Sequence, residues 1–122
     1  MSESKSIIVE KSFLFAIRVI KLYQFLQTEK KEYVLSKQLL RSGTSVGALV
    51  RESQNAESNM DFIHKLGIAQ KECDESLYWI ELLNKTEYLT DIQFDSIFKD
   101  ATELLKMIRS AILTTKQKTG KS

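Results

Sequence analysis

The 122-residue chain contains no proline, four glycines, one cysteine and one histidine. Sandwiches and barrels of short strands draw on proline and glycine for their many turns, so that architecture is excluded. Long helices with short links suit the composition. Cys73, the single cysteine, leaves no intrachain disulfide to form. His64, the single histidine, argues against a histidine-built metal centre within one chain. No apolar run approaches the roughly 18 residues that span a bilayer. The first residues, MSESKSIIVEKSF, lack the apolar core of a secretory signal. A cytoplasmic chain with no membrane partner is the expectation. No phosphate-cradling glycine loop is present either, since Gly43 and Gly47 have no Walker lysine and sit inside a helical pattern.

What is present is helical periodicity. Apolar residues at three-four spacing recur in four segments, about Val9 to Glu29, Tyr33 to Ala56, Asn59 to Lys85, and Thr90 to Thr114. The expected fold class is all-α: an antiparallel up-down four-helix bundle, assembling into a ring-like homo-oligomer. Residues 1–8 read as a flexible arm, 9–114 as the bundle domain, and 115–122 as a disordered basic tail. In the first helix the expected core stripe is Phe13, Ala16, Ile17, Val19, Ile20, Tyr23 and Leu26. Leu14, Phe15, Leu22 and Phe25 lie outside it. A bundle helix needs an apolar stripe a little over 100° wide. This surplus predicts burial against something beyond the chain's own core, and self-association is the plain explanation. Ser58 with Asp61 and Thr90 with Gln93 have capping-box spacing at the starts of the third and fourth helices.

The second helix carries the most informative stretch, QLLRSGTSVGALVRE at Gln38–Glu52. Gly43 and Gly47 are four apart and so stack on one face. Each costs about 1 kcal/mol against alanine in a helix interior. That cost predicts a flat notch against which another backbone lies close.

Charge is uneven although the net is only +2. Residues 1–59 hold nine basic side chains against six acidic, and residues 60–113 hold six against ten. Lys116, Lys118 and Lys121 make the tail basic. At 100° per residue, Lys37, Arg41 and Arg51 fall within about 80° of one another on the second helix. Lys11 and Arg18 share a face of the first helix, with Lys21 near it. These six are the candidate nucleic-acid contacts. A row of cations suffices to bind phosphates through counterion release, and a ring would add the fields of several copies. The aromatic residues fall mostly on apolar faces, so base-specific reading is not expected.

Catalytic constellations are lacking. Cys73 lies on the apolar stripe of the third helix and reads as a core residue. Glu72, Asp74 and Glu75 cluster beside Lys71, but the Glu-x-x-His motif of di-iron bundles does not occur. An enzyme is not expected, nor a cofactor or metal.

Three ordered runs carry a family resemblance: KSFLFAIRVIKLYQFL; the R-S-x-T-S-x-G-A run at Arg41–Ala48 with Glu52; and the run from Lys65 to Leu83 with K-x-x-x-A-x-K-E-x-x-E-x-x-Y-W-x-x-L-L spacing. Over roughly residues 8–113 the chain resembles the 23S rRNA intervening-sequence proteins, a group of small four-helix bundles. Members often carry Asn after the Gly-Ala pair; here the residue is Leu49. The family is similar to the accessory variability protein of diversity-generating retroelements. That relative is a pentameric barrel with a positive surface that binds nucleic acid and a reverse transcriptase. The resemblance implies a homo-oligomer of five subunits, RNA or DNA as partner, and Lys11, Arg18, Lys21, Lys37, Arg41 and Arg51 as the contacts. The competing expectation is an interaction scaffold with a protein partner and no nucleic-acid contact.

Overall fold

The computed structural model describes residues 3–120, with side chains from Ile7 onward. Four helices follow one another: α1 (Glu3–Thr28), α2 (Leu35–Ser53), α3 (Asn59–Lys85) and α4 (Asp91–Lys118), with no strand among the described residues. Each helix packs on the next, and α4 returns to α1, the sparsest of the four contacts. The fold is an up-down four-helix bundle. Val19, Leu26, Leu39, Val46, Leu66, Ile80, Leu83, Leu104 and Ile108 fill its centre. Each such side chain contributes about 2 kcal/mol by leaving water.

The glycine notch lies where α1 crosses α2. A Cβ on Gly43 would stand 2.7 Å from Val19 Cγ2, and one on Gly47 would stand 3.1 Å from the Ser12 carbonyl oxygen. The propensity cost is therefore exchanged for close approach of α1. Small hydroxyls serve the same packing. Ser12, Ser36, Ser42, Ser53 and Ser76 are buried, and each bonds to a carbonyl of its own chain one turn back. Ser42 and Ser76 also meet across α2 and α3 at 2.8 Å.

This crossing corrects the face expected for α1. The buried residues are Ile8, Ser12, Phe15, Val19 and Leu26, while Phe13 and Ile20 point outward, 52% and 40% exposed. Hydropathy misplaces the stripe because the tightest contact needs a small residue, Ser12, and leaves a phenylalanine in water. The surplus apolar surface remains, made of Ile7, Phe13, Leu14 and Ile20.

Helix ends follow local chemistry. Ser58 accepts the Asp61 N–H, and Asp61 reaches back to the Glu57 N–H. Thr90 and Gln93 form a reciprocal capping box. The start of α2 uses a device not expected from the sequence. Glu32, 7% exposed, accepts the N–H groups of Val34, Leu35 and Ser36 at 3.1, 3.0 and 2.7 Å. Burial pushes its carboxyl up, but these three donors and the Ser36 hydroxyl outweigh it and hold the group below its ordinary value.

The expected arm and tail are also partly helical. α1 begins at Glu3, and Ile8 joins the core. α4 runs to Lys118, ahead of the left-handed Gly120. Neither segment holds a proline or an internal glycine to stop the helix before those points. Met1, Ser2, Lys121 and Ser122 lie outside the described residues.

Candidate nucleic-acid interface

The six expected cations do not form one surface. Arg18 turns to α4, where it donates to Asp100 Oδ2 at 2.6 Å and to Ser96 Oγ at 2.9 Å. Lys11 lines a small cleft of about 90 Å³ between the same two helices, beside Asp100 and Glu103. Lys21 is exposed on α1. Arg41 turns to α3, and Lys37, one helical turn before it, stays exposed. Arg51 lies on the edge between α1 and α2, 5.5 Å over the exposed Phe13 ring. The cations thus occupy three edges of the bundle.

Two of them are already neutralised within the chain. Arg41 Nη1 donates to Glu72 Oε2 at 3.1 Å, while Nη2 donates to Glu75 Oε2. The indole N–H of Trp79 reaches the same Glu75 oxygen at 3.0 Å. These contacts raise the Arg41 pKa, first through Glu72 and then through Glu75. Trp79, and after it Arg41, hold Glu75 below the usual carboxylate range against an opposing push from burial. Arg18 is half-exposed and paired with Asp100. Much of the charge asymmetry along the chain is therefore internal: basic α1 and α2 meet acidic α3 and α4 inside one bundle. Among the described residues, Lys11, Lys21 and Lys37 have no ion pair.

The ordered runs acquire structural roles from this geometry. Arg41 clamps α3, Ser42 bonds Ser76, Gly43 seats Val19 and Gly47 seats the α1 backbone. Glu72, Glu75 and Trp79 are the other half of the clamp. The sequence showed Glu72 and Glu75 clustered beside Lys71, and nothing in it pointed to Arg41 as their partner. Nothing at short range in the chain signals that Arg18 will meet Asp100.

Between α1 and α2 lies an open groove of about 440 Å³, floored by Ala16, Gly47 and Ala48 and walled by Phe13, Ile20 and Arg51. It continues the exposed apolar face of α1. A second aromatic feature was also missed. Tyr78 is 55% exposed and stands edge-on to Trp79, with ring centroids 5.0 Å apart. Its signal was available in the seven-residue spacing of polar residues on α3.

Other candidate groups have structural settings. Cys73 is buried, donates to the Ala101 carbonyl at 3.4 Å, and has its thiol pushed up to about 12 by that burial. His64 is exposed. Among the described residues, no cluster of three or more His, Cys, Asp or Glu is placed to hold a metal ion. No helix among them is long and apolar enough to cross a membrane.

Known proteins place this geometry. No curated protein matches the chain. A solved structure from Bacteroides thetaiotaomicron is similar to it, at 51% identity and a TM-score of 0.88, over 89% of this chain and 97% of that one. It is described as a protein of unknown function from the S23 ribosomal protein family. The sequence model of the 23S rRNA-intervening sequence proteins matches residues 4–110, which runs from the start of α1 into the second half of α4. The chain belongs to the 23S rRNA-intervening sequence protein family.

Proposed function

We propose that the protein is a non-catalytic, cytoplasmic helical bundle that assembles into a ring, of five copies by the resemblance, and binds RNA or DNA phosphates. The observation that carries this reading is the exposed apolar face of α1, with Ile7, Phe13, Leu14 and Ile20 each 40–52% exposed. Exposed apolar surface of this kind, Phe13 and Ile20 toward α2 and Leu14 toward α4, favours association with another chain. Assembly repeats the unpaired Lys11, Lys21 and Lys37 around one particle. Such a particle attracts polyanions more strongly than a chain of net charge +2. Arg18 and Arg41 contribute little, because their own carboxylates compete with phosphate.

Fluorescence anisotropy of a labelled structured RNA tests the reading, at low salt and at about 150 mM. Binding is expected to weaken steeply with salt and to collapse in a folded Lys11→Glu/Lys21→Glu/Lys37→Glu variant. Light scattering is expected to give a particle well above the 14.1 kDa chain. A monomer with no binding at low salt overturns both parts. The alternative, an interaction scaffold with a protein partner, is favoured by one observation: the intrachain neutralisation of Arg18 and Arg41. It predicts a large particle that ignores RNA.

A further inference from the structure

We propose that Tyr78 is a stacking platform for an unpaired base of a single-stranded nucleic acid. This rests on the nucleic-acid reading above and adds a site to it. Tyrosine rings normally hide part of their apolar face, yet this one is 55% exposed in the middle of a helix. It is also held in place. Its ring meets Trp79 edge-on at 5.0 Å, Trp79 is tied by its indole N–H to Glu75, and Glu75 is tied to Arg41 on α2. A ring braced through two helices loses little freedom when a base lies on it, which is the condition for a stacking contact to contribute affinity.

Two lysines flank the ring along the same face. His64, Lys71, Tyr78 and Lys85 recur every seven residues, and all four are exposed. Seven residues advance a helix about 10 Å and return to within about 20° of the same direction. Lys71 and Lys85 therefore stand on either side of Tyr78, within a long side chain's reach of the phosphates next to a stacked base. Neither has an ion pair among the described residues. The carboxylates on this side of α3 are largely occupied: Asp74 lies 3.9 Å from Arg109, and Glu72 and Glu75 hold Arg41. Glu81 is exposed and sits four residues before Lys85, the spacing of a helical ion pair. The face is close to neutral, so stacking supplies the attraction and the two lysines orient the strand. Duplex keeps its bases covered and offers such a ring nothing to stack on. The preference is accordingly for unpaired over duplex strands.

Trp79 is the only tryptophan, so it reports on its neighbour directly. The experiment titrates the full chain with an oligouridylate and with an RNA duplex of equal length, following Trp79 emission and the anisotropy of the labelled strand. The oligouridylate is expected to quench Trp79 emission. Tyr78→Ala is expected to weaken oligouridylate binding about tenfold, in line with the loss of one base–aromatic stack. Duplex binding is expected to stay unchanged in that variant, and Tyr78→Phe to behave as wild type. If both strands bind and Tyr78→Ala changes neither, the phosphate reading stands and the platform is overturned. If neither strand binds at low salt, both fall. If Tyr78→Ala lowers the particle mass in light scattering, the ring is a protein contact and the platform is overturned.

Discussion

Adding one methyl group at three different glycines should move stability in different directions. At Gly67, in the interior of α3, a new Cβ meets nothing within 4 Å. Gly67→Ala therefore gains helix propensity alone and should stabilise by about 1 kcal/mol. At Gly43 the same methyl would stand 2.7 and 2.9 Å from the two γ-carbons of Val19. Val19 is fully buried and β-branched, so its side chain has no easy rotation out of the way. Overpacking of this kind costs about 1–3 kcal/mol. After the propensity gain is deducted, Gly43→Ala should destabilise by about 0–2 kcal/mol. Gly47→Ala, 3.1 Å from the Ser12 carbonyl oxygen, should fall between the two. Urea unfolding followed by circular dichroism measures all three, at one fixed protein concentration because assembly shifts the apparent midpoint. Val19→Ala combined with Gly43→Ala should be more stable than the sum of the single changes, since the clash disappears. Equal shifts for Gly43→Ala and Gly67→Ala would refute the close-approach account of the glycine notch.

Glu32→Ala should cost about 2 kcal/mol at neutral pH, because α2 loses an anionic cap that takes three N–H groups. The Glu32 pKa is lowered by folding, so its contribution is complete above the ordinary value of 4.5 and disappears as pH falls through the lower folded value. Wild type and variant should therefore converge in acid urea melts, and a gap that widens below that value contradicts the cap. Arg41→Ala should destabilise by only about 1 kcal/mol, as its partners are partly solvated. It should shift Trp79 emission and leave the salt slope of RNA binding unchanged; a clear drop in that slope would make Arg41 a phosphate contact. Cys73 should resist iodoacetamide at about pH 8 in the native chain and react on unfolding. Rapid stoichiometric labelling of the native form would contradict its burial.

Helix count, link positions and most caps were legible in the chain because each depends on residues within a turn or two. The absence of proline, the three-four spacing, and the Ser58–Asp61 and Thr90–Gln93 pairs act locally, and the bundle follows from them. Gly43 and Gly47 announced a notch by their cost in a helix, although not what would fill it. Tertiary structure decided the rest. It turned Ser12 inward and Phe13 outward, because backbone approach at Gly47 leaves no room for a ring and periodicity does not measure room. It sent Arg18 to Asp100 and Arg41 to Glu72 and Glu75, pairings across residues far apart in the chain. The basic stripe read along the helices was thereby divided among three edges and partly neutralised. Charge along a helix shows which cations exist; only the packing of helices shows which remain free for a partner.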